Sequence, residues 1–431
     1  MEQRRLGGDP DVLDERRDHV LLPPAPDEGE RPRGVKPGGR RGRAPRHGQG
    51  WYHSAGQAGA GSPARVKGRE HVTPQPRVLY VGPAGGDTFD ATSLEQQTRA
   101  VRQVGGAVVR YTGRTLAELV EALEGVDVVM LQGHRFDAAA FTHMGEHGRC
   151  KGLVSFGHGY DQLDLDAAVK HGVILANTAS FGTEEVSNHT MMHFLVCARK
   201  FVLHDRLVRQ GVWTRAHLAP MGHIAGQTFG IVGLGNIGRA VARKARAFGL
   251  QVIGHDPYVA AWDATEYGVE QVATVDELCR RADYVTLHCY LADGTRHIIG
   301  RRQFDLMKPT AYVINCARGG VVDEQALIEA LTAKKIAGAG LDVFEREPVD
   351  PSNPLLKMDN VSLTNHYASY SEVAWERAQT QMGEEAVRIA TGMWPMSLIN
   401  PDVRHTVPPR RPALAWEVYL RELTGGAPSA P

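Results

Sequence analysis

Three side chains late in the sequence, Arg318, Glu347 and His366, are of types that suit proton and hydride chemistry at an oxygen-bearing carbon. An arginine clamps a carboxylate in a bidentate fork while polarising a neighbouring carbonyl. A histidine passes a proton to or from that oxygen near neutral pH, and a carboxylate beside it favours the protonated imidazole. Each of the three follows a different apolar run: Ala311 to Asn315, Ala339 to Phe344, and Asn360 to Leu363. In open α/β sheets the ligand crevice lies at the carboxyl ends of strands, so the three are expected to meet there. With 19 histidines in the chain, position alone does not select His366.

A hydride partner for this set is written upstream. The run Phe229 to Val232 leads into Gly233-Leu234-Gly235-Asn236-Ile237-Gly238, and Arg239 to Phe248 then has helical character. Gly233 allows a tight turn, Gly235 lets the backbone approach a pyrophosphate, and Gly238 permits close helix–strand packing. The phosphates would sit on the uncapped amides at the helix N-terminus. A lone glycine pattern of this kind is weak, but here a strand precedes it and a helix and second strand, Gln251 to Gly254, follow it. That second strand ends at Asp256, where an acid would accept both ribose hydroxyls and repel a 2′-phosphate. NAD is therefore expected as cofactor, and NADP less so.

These residues need a scaffold, and the chain from Arg77 onward supplies one. Short apolar runs (Val78 to Val81, Ala107 to Val109, Val126 to Leu131, Leu153-Val154) alternate with helical stretches such as Ser93 to Val104 and Leu116 to Leu123. A second series starts near Thr228 and continues through Val252-Ile253, Tyr284 to His288, Ala311 to Asn315 and Gly340 to Val343. Continuous apolar strands alternating with helices predict an α/β fold of two doubly wound parallel sheets, with a cleft between them. One long helix, about Glu184 to Arg209 and free of internal Gly and Pro, is expected to join them.

Residues 1–76 read differently. They hold 13 Gly and 10 Pro but only nine Leu, Ile, Val or Phe, too little apolar surface to offset ordering entropy. A flexible extension is expected there, and a Pro-rich tail beyond Arg404 with one amphipathic piece, Leu414 to Leu423. The longest early apolar run, Val20-Leu21-Leu22, stops at Pro23-Pro24, which is not a secretory signal. The extension carries 14 basic against 10 acidic residues, so its +4 cancels a −4 remainder within the balanced 49 against 49. The extension holds the basic run Arg40 to Arg46, but its aromatics are sparse and acidic residues are interspersed elsewhere in it, so nucleic acid is not expected as a partner. No stretch is long and apolar enough to span a membrane. The five scattered cysteines lack C-x-x-C spacing, which argues against a zinc ribbon, a metal site or a disulfide framework and fits a reducing, cytoplasmic setting.

Taken in order, Gly-Leu-Gly-Asn-Ile-Gly at 233–238, Asn-Cys-Ala-Arg-Gly-Gly-Val-Val-Asp at 315–323 and Gly-Leu-Asp-Val-Phe-Glu-Arg-Glu-Pro at 340–348 resemble the D-isomer-specific 2-hydroxyacid dehydrogenase family. The similarity runs from about Arg77 to Val403. It implies that Arg318 orients the substrate, that His366 is the proton donor and acceptor, and that Glu347 tunes it. It places Asp342 on the nicotinamide carboxamide, with Gly233, Gly235, Asn236, Ile237, Gly238, Asp256, Cys316 and Ala317 along the cofactor. Gly157-His158-Gly159-Tyr160-Asp161 resembles the loop whose amides hold the substrate carboxylate, so Gly157, His158 and Gly159 join Arg318 as substrate-binding residues. The resemblance further implies a flavodoxin-like substrate domain from 77–177 and 366–404, a Rossmann NAD domain, 178–365, inserted into it, a tail at 405–431, and a homodimer built mainly through the NAD domains.

Four departures stand out. Asn365 replaces a proline before the histidine, Tyr290 replaces a proline after His288, the segment Glu185 to His189 is altered, and Ser155-Phe156 precedes the carboxylate loop. The segment Asn365 to Glu372 and the closing Leu398 to Pro401 look like the branch holding phosphoglycerate dehydrogenase-like and C-terminal-binding-protein-like members. Phosphoglycerate would call for further cations, for which Arg135 and His134 are candidates, although both read as loop surface. The expected activity is interconversion of a small D-2-hydroxy acid and its 2-oxo acid. The alternative is an NAD(H)-responsive, corepressor-like binding protein with vestigial activity.

Overall fold

The computed structural model describes residues 75–82, 94–113, 115–146, 149–179 and 181–424. The extension read at 1–76 thus lies outside the described residues up to position 74, as does the last part of the C-terminal tail.

Two parallel sheets form. The first contains β1 (Arg77–Val81), β2 (Ala107–Arg110), β3 (Val128–Leu131), β4 (Gly152–Ser155) and β5 (Ile174–Asn177), in the order β2-β1-β3-β4-β5. This is the flavodoxin-like order. The second contains β6 (Thr228–Val232), β7 (Gln251–His255), β8 (Glu270–Gln271), β9 (Tyr284–Leu287), β10 (Tyr312–Asn315), β11 (Gly338–Leu341) and β12 (Val361–Leu363). Its order, β12-β11-β10-β9-β6-β7-β8, is the Rossmann arrangement with one strand added at the edge. Most of these strands are buried along nearly their whole length, because helices cover both faces. That is why they read as unbroken apolar runs.

The 19-residue helix Glu372–Ala390 then carries the chain back from the second sheet to the first, burying Met382, Ala386 and Val387 against Val78, Tyr80 and Met130. Asn400 locks the return on β5, accepting the Leu175 amide at 2.9 Å and donating to the Val173 carbonyl at 2.9 Å. The Rossmann unit is thus inserted into the flavodoxin-like one.

The joining helix is not continuous. It divides into Thr183–Ala198 and Phe201–Arg209, separated by Lys200 in the left-handed region at φ 51°. A left-handed lysine ends a helix as a glycine would, but carries none of its compositional signal. The first segment packs Val186, Met191 and Phe194 against Phe229 and Ile231 of β6. The amphipathic piece near the C-terminus is the helix Trp416–Thr424, and it does pack: Tyr419 is buried in the core of the first sheet. Among the described residues, no helix is long and apolar enough to cross a membrane.

Candidate active site

The turn after β10 is built by Asn315, whose Oδ1 accepts the Ala317 amide at 3.0 Å while its Nδ2 donates to the Arg318 carbonyl at 2.9 Å. This aims Arg318 out of the carboxyl edge of the Rossmann sheet. Its Nε donates to Asp161 Oδ1 at 2.8 Å, reaching a loop of the other sheet, and Nη1 donates to the Ala317 carbonyl at 2.8 Å. The guanidinium lies across Gly159 so closely that a Cβ there would fall 1.4 Å from Nη2.

Glu347 and His366 come from the loops after β11 and β12. Glu347 Oε1 accepts the Phe344 amide at 2.9 Å, and Oε2 stands 2.6 Å from His366 Nδ1. Burial by itself would raise the Glu347 carboxyl, but the hydrogen bond and charge of His366 outweigh it, helped by Arg318, and hold it below its ordinary value. Asp161 behaves likewise: burial raises it, and Arg318 with a smaller contribution from His366 brings it down. Arg318, Glu347, His366 and Asp161 therefore form one electrostatic cluster.

The loop after β4 supplies the opposite wall. The Gly157 amide is donated to Thr178 Oγ1 at 2.8 Å, so a carboxylate in the crevice would meet the loop beyond it. His158 stacks on Phe181 with ring centroids 4.7 Å apart. Burial, then the Arg318 charge, pushes its imidazole down to about 4, and its Nε2 is buried without a hydrogen-bond partner among the described residues. Tyr160 stacks across the cleft on Tyr290, at 6.3 Å and 30°.

The Gly233–Gly238 loop makes the tight turn that a dinucleotide needs. Gly233 sits at φ 94°, and a Cβ on Gly238 would lie 2.1 Å from the Gly233 carbonyl oxygen. Gly235 faces open space and begins the helix Asn236–Ala247 without a side-chain cap, leaving the first-turn amides to a ligand. Asn236 is exposed beside it and Ile237 half-buried. Asp256 closes β7, its Oδ2 accepting the Leu234 amide at 2.8 Å and its Oδ1 the Tyr258 amide at 2.9 Å. These residues fit a nicotinamide dinucleotide. Cys316 turns its side chain into the core, where burial pushes the thiol up, and Ala317 is half-buried at the strand end. Asp342, one residue past β11, is only 1% exposed. Arg135 is exposed and His134 half-buried on the loop after β3.

Two features of the site are not legible in the sequence. Asp161 stands in a motif that gives it no role of its own, since its partner lies 157 positions away. Nothing in the sequence distinguishes His189 and His193, which lie behind Asp342, from the other histidines.

A Rossmann sheet with an Arg, a Glu–His pair and an open glycine loop at its carboxyl edge defines a nicotinamide-dependent oxidoreductase architecture. Residues 191–368 match the family model for the NAD-binding domain of D-isomer specific 2-hydroxyacid dehydrogenases. A glyoxylate reductase of Korarchaeum cryptofilum is 39% identical over 60% of this chain and 78% of its own length. A D-3-phosphoglycerate dehydrogenase of Methanocaldococcus jannaschii is 38% identical over 71% of this chain, which spans only 57% of that relative. An NADPH-dependent glyoxylate/hydroxypyruvate reductase of Sinorhizobium meliloti, solved with NADP and malonate, superposes with a TM-score of 0.66. It is 27% identical and covers 79% of this chain and 100% of that one. The chain belongs to the D-isomer specific 2-hydroxyacid dehydrogenase family.

Proposed function

We propose that this chain interconverts a small D-2-hydroxy acid and its 2-oxo acid with NAD(H), using Arg318, Glu347 and His366. The observation that carries the reading is the 2.6 Å Glu347–His366 pair standing close enough to Arg318 for its charge to hold the Glu347 carboxyl down. Arg318 grips the substrate carboxylate and polarises the carbonyl beside it. His366 gives its proton to the carbonyl oxygen in reduction and takes it from the hydroxyl in oxidation. Glu347 holds the imidazole by Nδ1, leaving Nε2 for the substrate. The nicotinamide, when bound, supplies or accepts the hydride. His158 and Gly159 line the carboxylate side, the Gly157 amide being taken by Thr178.

Asp256 supports NAD over NADP, because a fixed carboxylate at the end of β7 suits ribose hydroxyls and repels a phosphate. A homodimer through the Rossmann unit is supported by Phe201, Val208 and Trp213, which are exposed along one helix and the segment after it, Trp213 by 91%. Light scattering of the purified chain, alone and as Trp213→Ala, checks it.

The test of function is a screen of NADH and NADPH oxidation over glyoxylate, hydroxypyruvate, pyruvate, phosphohydroxypyruvate and longer 2-oxo acids. Turnover that His366→Ala abolishes supports the mechanism. No turnover with any of them, alongside NADH-dependent capture of a partner, would instead establish the binding-protein alternative.

A further inference from the structure

His366 adopts the left-handed region at φ 57°, a conformation that a non-glycine residue keeps only when its surroundings hold it there. The preceding Asn365 has no ring to restrict φ as proline does. What holds the loop is Asp342. Its backbone carbonyl accepts the His366 amide at 2.8 Å, Oδ1 accepts the Tyr367 amide at 3.1 Å, and Oδ2 accepts the Ala368 amide at 3.0 Å. One buried residue thus pins three successive amides.

The carboxylate is itself held from behind, and counting protons gives the direction of each bond. The Thr364 hydroxyl donates to Asp342 Oδ1 at 2.6 Å, which uses its one proton. Thr364 Oγ1 is therefore the acceptor for His189 Nε2 at 2.9 Å and for His193 Nε2 at 3.1 Å. Burial, then the neighbouring His189, pushes His193 down to about 4, so it is neutral near pH 7. With its proton on Nε2, its Nδ1 can only accept, and it does so from the Ser362 hydroxyl at 2.9 Å. All these donors run toward Asp342. Burial would raise that carboxyl, but His189, whose Nε2 also stands 3.4 Å from Oδ1, together with the Thr364 hydroxyl and the Ala368 amide, holds it at about 2, so it is ionised near pH 7. His193 is fully buried and His189 nearly so, and neither reaches the crevice.

We propose that Thr364, backed by His189 and His193, is a positioning residue that acts through Asp342 to hold the His366 imidazole against Glu347. This deepens the enzymatic reading above and rests on it for its kinetic consequence. The structural consequence can be read without turnover.

The test compares full-length wild type with Thr364→Val, which keeps the shape and loses the hydroxyl, and Thr364→Ser, which restores the hydroxyl. Amide hydrogen exchange, read by mass spectrometry on the peptide covering 364–370, should be at least about tenfold faster in the Val variant for the three pinned amides. It should return toward wild type in the Ser variant. With the substrate found in the screen, kcat of Thr364→Val should fall roughly 10- to 100-fold while KM for the 2-oxo acid stays within about threefold. Unchanged exchange in the Val variant overturns the proposal whatever the kinetics do. So does faster exchange with unchanged kcat, a rise in KM alone, or failure of Ser to rescue. If wild type turns over no 2-oxo acid, the enzymatic reading fails, and the exchange comparison still decides whether Thr364 clamps the loop. If Thr364→Val does not fold, Ser362→Ala at the far end of the chain takes its place. Faster exchange at the same amides supports the network, and unchanged exchange overturns it.

Discussion

Gly159→Ala separates substrate handling from folding. The new Cβ would stand 1.4 Å from Arg318 Nη2 and 2.4 Å from Cζ, well inside the 3.4–4 Å of ordinary contact. The guanidinium must therefore withdraw by at least about 2 Å, which its flexible side chain allows without disturbing either sheet. Gly159 does not occupy the left-handed region, so alanine brings no backbone strain. What is lost is the 2.8 Å bond to Asp161 and the place from which the fork meets a carboxylate. Two charge-assisted hydrogen bonds at roughly 1.5–3 kcal/mol each amount to about 3–6 kcal/mol of transition-state binding. At about 1.4 kcal/mol per decade, kcat/KM should drop roughly 100- to 10,000-fold. The assay pairs kcat/KM for the 2-oxo acid with the Kd for NADH and the melting temperature, both of which should stay near wild type. A kcat/KM within about threefold of wild type would refute the placement of Arg318. Loss of activity only in step with NADH binding and melting temperature would refute the claim that the effect is local.

Three more predictions follow from the same geometry. Glu347→Gln keeps the acceptor to the Phe344 amide but not the charge beside His366, so kcat should fall about 10- to 100-fold with little change in KM. Glu385, fully buried beside Arg388, is pushed up by burial to about 7, against about 4.3 in an unfolded chain. A carboxyl raised in the fold weakens stability as pH climbs from the unfolded value through the folded one, here by up to about 4 kcal/mol. Wild type should therefore lose melting temperature between pH 5 and 8, and Glu385→Gln should flatten that slope. Tyr419→Ala empties a fully buried site under the C-terminal helix and should cost about 3 kcal/mol or more in denaturant unfolding, leaving NADH affinity intact.

What the sequence made legible was whatever acts locally. Strands such as Val78–Val81 and Val128–Leu131 lie under helices on both faces, so their apolar character survives as an unbroken run. The glycine loop and the Arg, Glu and His types are likewise fixed by the backbone and chemistry around them. What it hid depends on partners far along the chain. The helix break at Lys200 comes from a left-handed lysine that no composition rule flags, and the docking of Trp416–Thr424 rests on Tyr419 meeting the return helix.

The same division runs through the active site. Arg318 is legible as an arginine at a strand end, but its working position is set by Asp161 and by the absence of a side chain at Gly159, both on the other sheet. His366 is legible from its motif, but its posture is set by Asp342 and by a chain of hydroxyls and imidazoles reaching back to Ser362. Residue type thus carries the proposed reaction, while long-range pairs decide whether the groups stand where that reaction would need them. On the proposed reading, a variant that keeps Arg318, Glu347 and His366 should therefore still lose most of its activity if it adds a methyl group at position 159 or removes one hydroxyl at position 364.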